Sequence, residues 1–400
     1  MMNTYLFPGQ GSQYVGMGKT LFAQFPELIN LADKLLGYSV EQLCLNDTHK
    51  QLNNTQYTQP ALFVVNALAY HQQIKQSGQS ADFLAGHSLG EFNALYASGA
   101  LSFEDALKLV IKRGELMSNA PQGAMAAILN IDETTLQSCL EHPQLRSIDI
   151  ANFNSREQIV ISGLAKNIAH SQAIIEQQGG RFIPLNTSGA FHSRYMADAQ
   201  QQFAKVINNT VFKAIQTPVI ANVTGLPYQP DDIKHHLIAQ MTQPVKWTQS
   251  IQYLYAQGNM QFKELGPKKV LTKLVQNITQ DIAQNSEQDT DRHSTRLGTN
   301  LLTTKLHVSP INTPIPAEQR QTETMLAKAE PPKLSPQQHV ENWNLHHPIG
   351  TQVRSITHVT SMTNPIMTTR SQATLIFGQR AVVYLHNFNG YFALDELQCI

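Results

Sequence analysis

The pentapeptide Gly86-His87-Ser88-Leu89-Gly90 constrains the fold of this chain more than any other stretch. An apolar-flanked segment, Asp82-Phe83-Leu84-Ala85, precedes it and reads as a short strand; Glu91 to Ala97 follows and reads as a helix. A Gly-x-Ser-x-Gly motif between a strand and a helix forms a sharp elbow that projects the serine hydroxyl from the turn. The two glycines let the backbone turn tightly. The helix start behind them offers free N–H groups to a developing oxyanion. An ordinary turn with a capping serine is the competing reading of the motif alone. The elbow reading makes Ser88 a candidate nucleophile for acyl transfer, and at neutral pH it then needs a base within hydrogen-bond reach.

Strand, helix, strand, helix is the order on both sides of the elbow. Tyr5-Leu6-Phe7 reads as a strand running into the loop Pro8-Gly9-Gln10-Gly11-Ser12-Gln13. A helix is expected from Pro60 to Gln76, with Leu62, Val65, Leu68 and Ala69 on one stripe. Another opens at Ser102, where Ser102-x-x-Asp105 resembles a capping box, and stops before Pro121. Pro218 to Val223 and Phe262 to Leu265 read as strands returning to the same sheet. This alternation predicts an α/β body, residues 1–123 and 187–280, built on a parallel sheet covered by helices.

Residues 124–186 read differently. Strands at 124–129, 148–151, 158–161 and 181–185 and helices at 133–141 and 168–178 give the order β-α-β-β-α-β, with a turn at Asn154-Ser155-Arg156. That order describes an inserted ferredoxin-like subdomain. After residue 280 the composition shifts: no Phe, Tyr or Trp occurs between Phe262 and Trp343, and prolines punctuate a tract rich in Gln, Thr and Ser. Residues 281–340 are therefore expected to form a disordered linker, lacking the apolar content to offset ordering entropy. In 341–400, a small β-rich tail of unassigned role, Ala381 to Leu385 and Tyr391 to Leu394 flank Asn389-Gly390, a type I′ hairpin cue.

Several function classes are disfavoured. The 29 basic and 29 acidic residues cancel, so no global field draws nucleic acid or an anionic membrane. Cys44, Cys139 and Cys399 are far apart and lack metal-ligand spacing, so neither a disulfide framework nor a metal site is expected. Met1 to Pro8 has no basic region followed by an apolar one, and no apolar run approaches the ~20 residues of a membrane span, which sets a cytoplasmic expectation.

Taken in order, Phe7-Pro8-Gly9-Gln10-Gly11-Ser12-Gln13, Gly86 to Glu91, Lys112-Arg113-Gly114, Gly189-Ala190-Phe191-His192-Ser193, Gln240 before Pro244-Val245-Lys246-Trp247, and Glu264-Leu265-Gly266-Pro267 resemble the motifs of malonyl-CoA:acyl-carrier-protein transacylases. The resemblance covers roughly residues 3–280 and implies a hydrolase-like body with a ferredoxin-like insert. It also implies transfer of malonyl from malonyl-CoA to Ser88 and then to the phosphopantetheine thiol of an acyl carrier protein, with no bound cofactor.

Among 15 histidines the resemblance selects His192 as the base. His87 is expected to shape the turn. The resemblance suggests a dyad, with a backbone carbonyl near Gln240 orienting the ring, while Asp149 and Asp198 stay open as carboxylate partners. The backbone N–H groups of Leu89 and Gln10 would form the oxyanion hole, Arg113 would bind the substrate carboxylate, and Phe191 resembles the malonyl-selective version of its motif. Glu91-Phe92-Asn93-Ala94-Leu95 and the C-terminal extension resemble the discrete acyltransferases that serve polyketide synthase modules. A housekeeping fatty-acid malonyltransferase and an acyl-thioester proofreading hydrolase are the alternatives, and a degenerate carrier-binding scaffold is a third. Carrier proteins are acidic, which makes Lys263, Lys268, Lys269 and Lys273 candidates for a local basic patch.

Overall fold

The computed structural model describes residues 1–298, 335–355, 367–369, 371–376, 380–384, 391–394 and 397–399. Two compact units divide the chain, residues 1–305 and 306–400. The first opens with β1 (Met2–Phe7), then α1 (Pro26–Leu36), α2 (Val40–Leu45), α3 (Thr55–Ser77), β2 (Phe83–Gly86), α4 (Gly90–Ala97) and α5 (Phe103–Ser118). An inserted segment follows: β3 (Ala124–Leu129), α6 (Glu133–Leu140), β4 (Asp149–Ser155), β5 (Gln158–Gly163), α7 (Ala165–Gln177) and β6 (Arg181–Pro184). The unit then continues with α8 (Ala197–Asn209), β7 (Val219–Ile220), α9 (Ile233–Ala239), α10 (Trp247–Ala256), β8 (Met260–Glu264) and α11 (Val270–Gly298).

The large sheet has the order β7-β2-β1-β8 and is parallel throughout, with Leu6 opposite Ala85 on one side and Glu264 on the other. Side chains alternate across a strand, and here both faces are apolar. Tyr5, Phe7 and Leu84 belong to the cluster that includes Leu62, Phe63 and Val110; Leu6, Ala85 and Ile220 belong to another with Trp247, Ile251 and Leu271. Burial on both faces is the rule for parallel sheets. β7 is two residues long, shorter than the expected 218–223, because the chain turns back at once: Ala221 N–H donates to the Leu226 carbonyl and Gly225 N–H to that of Ala221.

Helix α3 starts five residues before the expected Pro60. Asn54 caps it, accepting from Gln56 N–H at 3.1 Å, and Pro60 lies inside. It is buried on every side from Leu62 to Val65 rather than along one stripe, as befits a helix central to its unit. Ser102 caps α5 as expected, accepting from Asp105 N–H at 3.0 Å.

The small sheet, β4-β5-β3-β6, is antiparallel throughout, the arrangement of a β-α-β-β-α-β unit. β4 runs past the expected turn to Ser155, with register shifts at Ile150/Asn152 and Phe153/Ser155. Its free edge is occupied: Phe153 N–H donates to the Val245 carbonyl at 2.9 Å, and Val245 N–H to that of Ala151 at 2.8 Å. This seam ties the small sheet to the body.

Two boundaries differ from the expected linker of 281–340. α11 continues to Gly298, since no proline or glycine interrupts residues 271–297 and Gly298 ends the run. In the second unit, α12 (Pro336–His346) begins before 341, closed by a capping box between Ser335 and Gln338. That unit adds two antiparallel sheets, one of β9 (Gln352–Ser355), β10 (Met367–Thr368) and β14 (Leu397–Cys399), the other of β11 (Thr374–Ile376), β12 (Arg380–Tyr384) and β13 (Tyr391–Ala393). Strands β12 and β13 pair as the hairpin cue implies; Asn389-Gly390 itself lies outside the described residues. Among the described residues no helix is long and apolar enough to cross a membrane.

Close backbone approach fixes the elbow. A Cβ on Gly90 would lie 2.0 Å from the Phe7 carbonyl oxygen, whereas one on Gly37, at the end of α1, would meet nothing within 4 Å. Gly90→Ala should therefore lower unfolding free energy by about 4 kcal/mol or more, and Gly37→Ala by only about 1 kcal/mol from its left-handed backbone. Denaturant titration of both variants checks the contrast.

Candidate active site

The residues singled out in the sequence converge at the C-terminal ends of the parallel strands, where open α/β sheets place ligands. Ser88 follows β2 and has φ 52°, in the left-handed region. A non-glycine residue persists there only where its surroundings over-determine it, and here they do. Ser88 N–H donates to Asn222 Oδ1 at 2.7 Å, Asn222 Nδ2 donates to the Gly86 carbonyl at 2.7 Å, and His87 N–H donates to the Phe7 carbonyl at 3.0 Å. A Cβ on Gly86 would lie 1.9 Å from the Gly90 carbonyl.

His192, also at positive φ (56°), approaches from the segment after β6. Its Nδ1 lies 2.8 Å from the Gln240 carbonyl oxygen and its Nε2 lies 2.7 Å from Ser88 Oγ. A carbonyl only accepts, so Nδ1 carries the proton and Nε2 is left to accept the serine hydroxyl. Burial, then the nearby Arg113 charge, pushes the imidazole down to about 3, so the ring is neutral at physiological pH. The orienting group is thus a main-chain carbonyl. Asp149 instead pairs with Arg194 on the surface, and Asp198 is exposed in the first turn of α8.

Arg113 is likewise buried, 1% exposed. Nη1 donates to Gln59 Oε1 at 2.8 Å; Nη2 donates to Gln240 Oε1 at 2.8 Å and to Ser88 Oγ at 3.0 Å. Its carbon lies 5.7 Å from the centre of the Phe92 ring. Buried Nε has no partner, and no carboxylate contacts the guanidinium among the described residues. Burial lowers its pKa to about 10, which still leaves it cationic. Close helix packing sets its place: a Cβ on Gly114 would lie 3.2 Å from the Thr55 carbonyl, so glycine there lets α5 run close against the start of α3.

The N–H groups of Leu89 and Gln10 take no acceptor among the described residues. The loop bearing Gln10 is pinned on both sides. Gln10 Nε2 donates to Thr55 Oγ1 at 3.1 Å, Ser12 Oγ to the Gly9 carbonyl at 2.8 Å, and a Cβ on Gly9 would lie 2.4 Å from the His87 carbonyl. Gln10, Ser88, Leu89, Arg113 and His192 line one cavity of about 380 Å³, completed by apolar Met117, Met125, Leu185 and Phe191. His87 also borders this cavity, but its ring is engaged away from Ser88: its Nε2 lies 2.8 Å from Asn154 Oδ1 on β4, and its ring lies against Trp247.

Three buried groups escaped the sequence reading. Gln59 holds Arg113, Asn222 holds the elbow, and Glu91, 1% exposed, accepts from Asn222 N–H at 2.9 Å, from Tyr228 O–H at 2.6 Å and from Gln240 Nε2. Burial raises the Glu91 carboxyl to about 7 against the pull of these donors. Asn222 was findable, as a polar residue just past the end of a parallel strand. Gln59 carries no such mark, and Glu91, though it ends the elbow motif, carries none that says what it would hold. The arrangement supplies a serine hydroxyl, a neutral imidazole poised to take its proton, two unpaired amides and a guanidinium facing the same space: the parts needed to form and resolve an acyl-serine.

A family model described as an acyl transferase domain matches residues 4–302. Over 276 residues the chain is 49% identical to the polyketide biosynthesis malonyl CoA-acyl carrier protein transacylase BaeC of Bacillus velezensis, covering 68% of this chain and 96% of BaeC. It is also 49% identical over 276 residues to the polyketide biosynthesis protein PksE of Bacillus subtilis, where the match spans 68% of this chain but 36% of PksE. A crystal structure of malonyl CoA-acyl carrier protein transacylase from Burkholderia pseudomallei superposes with a TM-score of 0.68 at 47% identity, covering 70% of this chain and 98% of that one.

The His192 shift makes a pH prediction. Its folded value lies below the ordinary 6.5, so on acidification the unfolded chain takes the proton first, and stability present above pH 6.5 is lost towards about 3. Glu91 has the opposite sign, since its raised value favours the folded state at low pH, but it is common to both proteins compared. Between pH 6.5 and 5, unfolding free energy should fall more steeply in the parent than in His192→Gln, by about 1 kcal/mol per pH unit. Parallel curves from urea titrations would contradict this.

Proposed function

The chain belongs to the acyl transferase domain family, and we propose that it carries a malonyl group from malonyl-CoA, through an ester on Ser88, to the phosphopantetheine thiol of an acyl carrier protein. The observation that carries this reading is the buried Arg113, 3.0 Å from Ser88 Oγ, with an unpaired Nε–H and no carboxylate partner among the described residues. Malonyl differs from acetyl by one terminal carboxylate, and a planar guanidinium offers it parallel donors.

In the first half-reaction Ser88 Oγ attacks the thioester carbonyl while His192 Nε2 takes its proton. The negative charge that develops on the carbonyl oxygen faces the N–H groups of Leu89 and Gln10. Collapse breaks the carbon–sulfur bond, and the imidazolium returns the proton to the departing thiolate. The second half-reaction runs the same steps in reverse order with the carrier thiol as nucleophile. Arg113 leaves Ser88 Oγ to bind the substrate carboxylate, and Phe191 bounds the space beside it. Each step uses protein groups alone, so in this reading no cofactor is bound.

A carboxylate-binding arginine favours the transferase over the proofreading hydrolase. Both curated relatives described above carry polyketide biosynthesis in their names, which supports a polyketide setting over housekeeping fatty-acid synthesis, with polyketide synthase modules as the carriers' hosts. The three cysteines are free, consistent with a cytoplasmic site of action.

Intact-mass measurement after mixing with malonyl-CoA tests the reading. We expect an adduct that persists, is absent in Ser88→Ala, and disappears on adding holo carrier protein; free malonate as the main product would replace the transferase with the hydrolase. Arg113→Ala should lose malonyl loading by about tenfold or more relative to acetyl loading, and an unchanged ratio would remove Arg113 from substrate recognition. Gln10→Ala should cost less than the ~10²–10³ in rate that deleting an oxyanion donor typically costs, because the donor is main chain.

A further inference from the structure

Glu91 lies buried in the first turn of α4 and is ringed by donors. Asn222 N–H and Tyr228 O–H, both from the segment after β7, donate to its Oε1 at 2.9 Å and 2.6 Å. Gln240 Nε2, at the end of α9, donates to its Oε2. A carboxylate accepts at both oxygens, whereas the amide of the same shape accepts at one and donates at the other. Glu91 does not line the Ser88 cavity.

The bond to Gln240 carries this environment to the working groups. Gln240 Nε2 also donates to the Ser88 carbonyl at 3.0 Å, and Gln240 Oε1 accepts from Arg113 Nη2 at 2.8 Å. With Glu91 ionised, this one orientation of the amide suits all three neighbours. A donor at the Oε2 position would break the agreement. The Gln240 nitrogen would then face another donor, and turning the amide over would set that nitrogen against the guanidinium. Oε1 offers no escape, because Asn222 N–H can only donate to it. A buried donor left unpaired is destabilising, so the strain falls on the contact that holds Arg113.

We propose that Glu91 is a positioning residue for substrate selection: its carboxylate turns the Gln240 oxygen to Arg113 and so sets the guanidinium to receive an acyl group that ends in a carboxylate. The inference rests on the transferase reading and assigns a residue that acts only through Gln240. Charge alone predicts the opposite sign. Glu91 is the negative group that bears on Arg113, and neutralising it would leave the cation freer to attract the substrate. The direct 2.8 Å contact between Arg113 and Gln240 makes geometry the stronger effect.

The test uses the full chain and Glu91→Gln. Ser88 acylation is followed by quenched intact mass with malonyl-CoA and with acetyl-CoA between pH 8 and 6, and is read as the ratio of the two kcat/KM values. At pH 8 the variant should lose about tenfold or more in that ratio, as expected for a charged hydrogen bond misplaced. In the parent the ratio should itself fall as the pH is lowered through about 7, where Glu91 takes a proton, and in the variant it should stay level. The titratable groups that bear on Glu91 are fixed over this range: Arg113 stays cationic, and burial holds the Tyr228 hydroxyl well above its ordinary value. His192 stays neutral and the substrate carboxylate stays ionised. Both donors slowed alike by Glu91→Gln would make Glu91 a structural support only, and a ratio that rises would make it a countercharge in competition with the substrate. Either result overturns the proposal. Should the variant not fold, the parent's profile decides alone, and a ratio level with pH overturns it. If the parent forms no acyl-serine with either donor, the transferase reading fails first.

Discussion

One buried positive charge organises this molecule's working end. Arg113 sits in the packed interface of α5 with α3 and is met by amide oxygens rather than by an acid. A direct carboxylate partner would neutralise the guanidinium and occupy its donors. Carbonyl oxygens of Gln59 and Gln240 hold its geometry and leave its charge available. The nearest compensation comes one residue removed, since Gln240 passes its other hydrogen bond to Glu91. Isolating a buried cation is costly, and here the oxygens of Gln59, Gln240 and Ser88 offset part of that cost.

Gln240 is where the demands meet. Its side-chain oxygen orients Arg113, its side-chain nitrogen donates to the Ser88 carbonyl and to Glu91, and its main-chain carbonyl fixes the tautomer of His192. Ser88, His192 and Arg113 are thus all held by one residue at the end of α9. A main-chain carbonyl stands behind the imidazole and fixes its tautomer, and burial, then the nearby Arg113, keeps the ring neutral.

Much of this was legible before any coordinates. Alternating apolar strands, the glycine-framed elbow and the β-α-β-β-α-β order are local patterns, and local patterns survive in a sequence. The identities of Arg113 and His192 came from resemblance alone, because nothing local separates a buried arginine from a solvated one or one histidine from fourteen others. Gln59 and Glu91 stayed hidden because their importance lies in partners 54 and 149 residues away. The start of the linker was misplaced for a different reason: α11 outlasts its apolar residues, since a stretch free of proline and glycine continues a helix already nucleated by packing.

The seam at Val245 gives the two sheets a mechanical relation. β4 is hydrogen-bonded to the body along its edge, and Asn154, one residue farther, holds the imidazole of His87, the immediate neighbour of the nucleophile. The small subdomain is therefore geared to the elbow. A rotation of the small sheet against the large one would have to break the Val245 seam or carry Asn154, and with it the His87 ring, along with β4, so the hinge between the sheets and the turn that presents Ser88 share one lever.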